Sequence, residues 1–387
     1  MRMLHTADWH VGRALRGRSR ADEHRAVLAE IASIAADRKV DLILVTGDLF
    51  DSAAPGPESE AIVYDALLAL ARLEVPVVLV AGNHDHPQRL RAVRPLLELG
   101  GVHVGEVLRR PEEGGVLELE LNGTPVAVAT MPFLSQRSIV KADALMSASA
   151  EGHRAIYAER ARRIVEELTA GMPADAIRIL AGHLTVTGGV LGGGEREAHT
   201  VFEYEVPAEA FPASLHYVAL GHLHRAQRIP AKAPIAYCGS PLQLDFGETL
   251  DVKSVSIVEL GLRRPARVDV VPLRSGKRLR TIRASLDQLE ALEGKYPDDF
   301  LQVIVETTPQ PGLADRVREL LPQAVDVRIA PRRDLEEDEE NTPRPDRSNL
   351  APQALFEAYL DERGEEDPRL RHLFEELLEE ADATAPA

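Results

Sequence analysis

The sequence predicts an α/β protein built on a largely buried sheet, followed by a small α+β cap and by C-terminal helices. Two observations carry this. Over the first 260 residues, short runs of Val, Ile and Leu alternate with amphipathic stretches. Strands alternating with helices place both faces of a sheet under cover. Past residue 260 the pattern becomes shorter and more charged.

Strand-like runs lie at 41–46, 75–81, 125–130, 177–181, 217–220, 235–237 and 254–260, all too short for helices. Residues 20–38, 57–73, 88–98 and 151–170 repeat apolar residues every three or four positions and are expected as helices. Around 262–276 the composition turns to Arg and Pro. An apolar run at 279–284, helices near 285–293 and 312–320, and strands at 301–307 and 325–329 then suggest the small α+β unit. Residues 331–348 combine Pro331, Pro343 and Pro345 with the acidic run Glu336-Glu337-Asp338-Glu339-Glu340, a linker composition too charged to bury. Two short amphipathic helices follow. One carries Leu350, Leu355, Phe356, Tyr359 and Leu360; the other carries Leu370, Leu373, Phe374, Leu377 and Leu378 behind an Asp367-Pro368 start. Helices this short are marginal alone and must pack on something, either this chain or a partner helix. The expected organisation is 1–270, 271–330, 331–348 and 349–387.

No run approaches the roughly 20 apolar residues of a membrane span. The chain opens without an apolar leader, and Cys238 is its one cysteine, so no intrachain disulfide can form. Both fit a cytoplasmic protein. The net charge of −17 disfavours a nucleic-acid partner, but it is unevenly placed. Residues 331–387 hold 18 acids and 7 bases, whereas residues 261–285 hold eight bases against Asp269 alone. That basic strip includes Arg274, Lys277, Arg278 and Arg280, which are candidate phosphate contacts. The alternative is a solvated strand face. With 4% aromatic residues, base stacking is not expected to dominate binding.

Five clusters each end an apolar run: Asp8-Trp9-His10, Gly47-Asp48, Gly82-Asn83-His84-Asp85, Gly182-His183 and Gly221-His222-Leu223-His224. Strand ends are where α/β sheets build sites. Asp8 and His10, like His222 and His224, are two apart, so each pair can face one ion. A carboxylate such as Asp48 can bridge two ions. Imidazoles mixed with carboxylates suit Mn²⁺, Zn²⁺ or Fe²⁺ better than Mg²⁺ or Ca²⁺. Two adjacent divalent metals are the usual tool for in-line attack on phosphorus. His84 points near such a pair and can stabilise the transition state or protonate the leaving oxygen, with Asp85 orienting or charging it. A lone His at a strand end is more often structural, but that explanation would have to hold at all five clusters together.

The segments LHTADWHVGR, VTGDLFD, VAGNHD, AGHLTV, ALGHLHRAQ and YCGSPLQLDFGE resemble the bacterial SbcD nuclease family of the calcineurin-like metallophosphoesterase superfamily. GNHD and GHxH are superfamily-wide; DWHVG with GSPLQLDFGE is more specific. The resemblance implies a two-sheet sandwich flanked by helices. It implies that Asp8, His10, Asp48 and His224 hold one metal, and that Asp48, Asn83, His183 and His222 hold the other. It further implies Mn²⁺-dependent exonuclease and endonuclease action on DNA ends, hairpins and single strands, and a homodimer. The implied partner is a coiled-coil ATPase of the SbcC type, gripped by Leu355, Phe356, Tyr359, Leu360, Leu370, Leu373, Phe374 and Leu377. Archaeal and eukaryotic relatives often carry a His where Asp51 stands, so that role does not transfer. The chain has no Gly-Lys-Ser/Thr phosphate loop, so ATP chemistry belongs to a partner. A phosphatase on the same site is the rival enzyme, although protein phosphatases carry Asp-Arg-Gly where this chain reads Asp51-Ser52-Ala53. A metal-free scaffold is the rival non-enzyme, and would be expected to have lost ligands.

Overall fold

The computed structural model describes residues 1–135, 150–195 and 204–330, with 356, 360, 369, 370 and 374 beyond them. Met1–Pro331 form one compact unit and Arg332–Ala387 a second. No described helix is long and apolar enough to cross a membrane.

Two six-stranded sheets make the body of the first unit. One contains β1 (Arg2–Thr6), β2 (Leu42–Thr46), β3 (Val77–Val80), β4 (Val102–Gly105), β11 (Ser254–Gly261) and β12 (Arg264–Pro272). Its order is β12-β11-β1-β2-β3-β4, with β1 to β4 parallel and β11 and β12 added antiparallel. The other contains β5 (Val116–Leu121), β6 (Thr124–Met131), β7 (Ile177–His183), β8 (Tyr217–Gly221), β9 (Gln227–Ile229) and β10 (Ile235–Tyr237), in the order β5-β6-β7-β8-β10-β9. There β6, β7, β8 and β10 run parallel.

Alternation along the strands builds three apolar layers. Leu42 and Leu44 of β2 and Val78 and Val80 of β3 face Val126, Val128, Ile179 and Ala219 between the sheets. Their neighbours Ile43, Val45, Val77 and Leu79 point outward and are covered by α1 (Ala21–Asp37), α2 (Pro57–Ala71) and α3 (Pro87–Leu99). On the far side, α4 (Ala150–Ala170) covers Ala127, Ala129, Leu180 and Val218 through Ala161, Val165 and Leu168. Strands buried on both faces read as continuous apolar runs, which is why they were legible.

The basic stretch after residue 262 divides between two sheets. Residues 264–272 form β12, an edge strand of the first sheet carrying Arg264, Pro265, Arg267 and Pro272, and such residues blunt an open edge. Only then does the small unit begin, a parallel sheet of β13 (Leu279–Ala284), β14 (Phe300–Glu306) and β15 (Ala324–Ala330). Its helices are α5 (Leu286–Glu290), started by a Ser285–Gln288 capping box, and α6 (Leu313–Leu320). Leu279, Phe300 and Val325 pack on Leu15 and Phe246 of the sandwich. The connection is pinned to α1: Arg274 N and Ser275 N donate to Glu30, and Lys277 N donates to Glu23.

In the second unit, the Phe356 and Phe374 rings stack at 4.1 Å, Leu360 is buried and Leu370 is exposed. The two terminal stripes thus meet each other through these aromatics, a contact the amphipathic pattern alone left open. The linker 331–348 and Leu355, Tyr359, Leu373 and Leu377 lie outside the described residues.

Candidate metal centre

All five clusters converge where the parallel strands of both sheets end. β1, β2 and β3 deliver Asp8 with His10, Asp48 and Asn83; β7 and β8 deliver His183 and His222 with His224. Three of the four glycines that precede a ligand, Gly47, Gly82 and Gly221, have a steric reason. A Cβ on Gly221 would lie 1.9 Å from the Thr46 carbonyl, and one on Gly82 would lie 2.1 Å from Asp48 Oδ1. At Gly221 and at Gly47, which faces His183, only glycine lets the two sheets approach this closely; at Gly82 it lets the ends of β2 and β3 do so.

Asp48 sits at the middle. Its Oδ1 accepts from the His84 backbone N–H at 2.8 Å. Its Oδ2 lies 3.5 Å from His10 Nε2 and 3.4 Å from His183 Nε2. On one side His10 Nε2 and His224 Nε2 are 3.1 Å apart, and Asp8 joins them within ligand reach. On the other side, Asn83 Oδ1 is 2.9 Å from both His183 Nε2 and His222 Nδ1. Asp8 Oδ1 accepts from the His222 N–H at 2.9 Å, while its Oδ2 is buried without a partner.

These acceptors crowd together with too little positive charge, and the electrostatics show it. Burial, with the Asp48 charge, pushes the Asp8 carboxyl up to about 7. Burial would drive the His183 imidazole down, but the Asp48 charge beside it carries it up to about 9. Burial opposes ionisation of Asp48 too, yet the His183 charge and hydrogen bond hold it well below the carboxylate range. A centre that draws protons onto Asp8 and His183 when no cation is present suits divalent ions, which displace such protons. The orphaned Asp8 oxygen and the facing ring nitrogens of His10 and His224 fit the same group.

The supports behind the ligands were largely invisible beforehand. His183 Nδ1 donates to the Thr46 carbonyl at 2.8 Å. His224 Nδ1 faces Glu248 Oε1 at 3.0 Å, and Lys253 Nζ sits 2.7 Å from Glu248 Oε2. Burial would raise the Glu248 carboxyl, but the His224 hydrogen bond and the Lys253 ammonium bring it down to about 2. Glu195 accepts from the His224 backbone N–H at 2.9 Å. The Phe133 ring stacks beside His222 at 6.0 Å. Glu248 closes the GSPLQLDFGE segment, so the motif marked it, but nothing local to it named its target. Gln243 of that segment also accepts from Leu279 N at 2.7 Å, tying the ligand support to the small sheet.

The structure places Asp85 on the backbone of its own loop. Both Asp85 oxygens are taken by backbone N–H groups, Gly82 at 2.9 Å and Phe50 at 3.2 Å. The contact orienting His84 comes from the Asp51 carbonyl, 2.9 Å from His84 Nδ1. Asp85 therefore braces the loop that carries Asn83 and His84. The candidate phosphate contacts also separate. Arg274 and Arg278 are exposed, and Lys277 Nζ lies over the Phe300 ring at 5.0 Å. Arg280 is engaged by Asp299 at 2.9 Å and by the Tyr296 ring at 4.4 Å, which weakens it as a phosphate ligand.

Fold and site together define a metal-dependent phosphoesterase. The family model for calcineurin-like phosphoesterases matches residues 1–226, and one described as the type 5 capsule protein repressor C-terminal domain matches residues 275–364. The chain is 35% identical to the SbcD subunit of the SbcCD nuclease from Bacillus subtilis, covering 85% of each protein. It is 35% identical to the corresponding protein of Rhodobacter capsulatus over 75% of this chain and 76% of that one. To the one from Escherichia coli K12 it is 28% identical over 98% of each. The chain belongs to the calcineurin-like phosphoesterases and, among them, to the SbcD family of SbcCD nuclease subunits.

Proposed function

We propose that this chain is a Mn²⁺-dependent DNA exonuclease and endonuclease. In this reading it processes double-strand ends, hairpins and single strands in repair and recombination. It would act in the cytoplasm as the nuclease subunit beside a coiled-coil ATPase of the SbcC type. The observation that carries the reading is Asp48 Oδ2, placed between His10 and His183 so that one carboxylate serves both halves of the centre. Asp8, His10, Asp48 and His224 would hold one ion; Asp48, Asn83, His183 and His222 would hold the other. Bound ions would supply Lewis acidity toward the scissile phosphate and lower the pKa of water. The side chains do the rest. With Nδ1 held by the Asp51 carbonyl, His84 as an imidazolium would present its Nε2 proton to the leaving oxygen.

The polymer substrate is supported by the relatives and by the exposed bases Arg274, Lys277 and Arg278. A homodimer through the sandwich domain is supported by Leu68 on α2 and by Leu96 and Leu99 on α3, which are 47%, 72% and 88% exposed. Isolated apolar residues are common on surfaces, but Gly100 at the end of α3 lies beside Ala71 of α2, so these leucines stand on two neighbouring helices. The terminal helices would take the ATPase.

The test is cleavage of end-labelled linear duplex with Mn²⁺ by the chain and by His84→Ala. Cleavage should fall roughly 10²–10⁴-fold in the variant with metal content unchanged. Brisk hydrolysis of a small phosphate ester, with no DNA cleavage even beside the ATPase, would overturn the nuclease reading in favour of a phosphatase.

A further inference from the structure

The two halves of the centre are built differently, and the difference lies behind the ligands. The His10/His224 side carries the Asp8 carboxylate, and both its imidazoles are backed by further carboxylates. Glu248 Oε1 lies 3.0 Å from His224 Nδ1, and Asp51 Oδ1 lies 3.4 Å from His10 Nδ1. The His183/His222 side offers the neutral amide of Asn83. His183 is backed by the Thr46 carbonyl at 2.8 Å, and His222 has no carboxylate behind its ring among the described residues. Asp48 is common to both. A carboxylate behind a metal-binding imidazole raises its basicity and fixes its tautomer. Lys253, 2.7 Å from Glu248 Oε2, and Arg13, 3.2 Å from Asp51 Oδ1, offset part of that charge. They leave the Asp8 charge against the Asn83 amide uncompensated.

We propose that the two metal positions are unequal by construction. The position of Asp8, His10 and His224 fills first and tightly, with Asp51 and Glu248 as its positioning residues. The position of Asn83, His183 and His222 fills second and weakly. This rests on the reading of these residues as a two-metal centre, and it adds an order of loading and two residues that set it. It also assigns Asp51 a place its sequence position did not reveal. Asp51 sets its carboxylate 3.4 Å from His10 Nδ1, a charge contact at a ring nitrogen that makes no hydrogen bond, and its carbonyl accepts from His84 Nδ1 at 2.9 Å, so one residue stands beside a ligand and the proposed acid together.

The experiment titrates the full chain, stripped of metal by chelation, with Mn²⁺, followed by calorimetry and by electron paramagnetic resonance. Two phases about tenfold or more apart are expected. The first equivalent should give the spectrum of isolated Mn²⁺, and spin-coupled pairs should grow only with the second. Glu248→Gln and Asp51→Asn remove charge but keep an acceptor. Each should weaken the first phase about 10–100-fold and leave the second nearly in place. Asn83→Ala should remove the second phase alone. If Glu248→Gln fails to fold because Lys253 loses its counter-charge, Asp51→Asn at its partly exposed site carries the same comparison. Equal sites, coupled pairs from the first addition, or variants that shift both phases alike would overturn the proposal. Absence of any Mn²⁺ binding would instead overturn the two-metal reading beneath it.

Discussion

Among the described residues, Asp8, His10, Asp48 and His222 all sit at positive φ, at 52°, 47°, 52° and 103°. Non-glycine residues held there cost about 1–3 kcal/mol each and persist only where their surroundings impose them. At Asp8, His10 and Asp48 the surroundings include backbone hydrogen bonds between the ends of β1 and β2, from Asp8 N–H to the Gly47 carbonyl at 2.9 Å and from His10 N–H to the Asp48 carbonyl at 3.0 Å. At Gly221, just before His222, they include the close approach of the sheets. Gly221→Ala should therefore cost about 2–3 kcal/mol in urea unfolding of the metal-free chain, because its Cβ meets the Thr46 carbonyl at 1.9 Å. His5 makes a separate residue-level prediction. It lies buried between the Thr46 hydroxyl at 2.9 Å and the Tyr217 hydroxyl at 3.2 Å, and burial lowers its pKa to about 3. Its unfolded value is near 6.5, so the unfolded chain takes up a proton first as pH falls. Its contribution is intact above about pH 6.5 and is lost as pH falls toward 3, amounting to roughly 2–3 kcal/mol by pH 4.5. Replacing His5 with Gln, which keeps a donor and an acceptor, should flatten the fall in stability between pH 7 and 4.5 by that amount. An unchanged slope would show that His5 does not carry it.

At the scale of elements, the basic stretch shows how one composition serves two structures. Arg264 and Arg267 blunt the free edge of β12, whereas Arg274, Lys277 and Arg278 lie in the connection pinned to α1. Pinning a short connection by backbone hydrogen bonds to Glu30 and Glu23 holds its side chains in place without occupying their charges. If these three contact phosphates, Arg274→Gln, Lys277→Gln and Arg278→Gln together should weaken DNA binding. The slope of log affinity against log salt should fall by about 0.9 for each phosphate no longer neutralised. Fluorescence anisotropy across a salt series reads this directly. A weaker affinity with an unchanged slope would move the DNA path elsewhere on the molecule.

At the scale of the whole molecule, Met1–Pro331 and Arg332–Ala387 are separate compact units, and the proposed metal ligands all lie in the first. Chemistry and partner binding should therefore come apart. Removing residues 349–387 should leave Mn²⁺ binding and cleavage of a small phosphodiester within about twofold, and should abolish co-purification with the ATPase. A truncated chain that still co-purifies would place the partner on the sandwich instead. In the second unit, the stack of Phe356 on Phe374 spends part of each apolar stripe on the other.

The sequence by itself determined which residues could bind metal and roughly where the strands carrying them lie. Period and composition are local properties, and strands buried on both faces announce themselves as apolar runs. It also marked Gly82 and Gly221 without supplying their reason. Only the tertiary structure decided that the strand ends of two facing sheets meet at the same centre. It also decided that the Asp51 carbonyl faces His84 Nδ1 while Asp85 accepts from its own loop, that Arg280 is engaged by Asp299, and that Glu248 stands behind His224. Those outcomes depend on distances between residues far apart in the chain. Such distances are set by how the layers pack, and no local pattern encodes them.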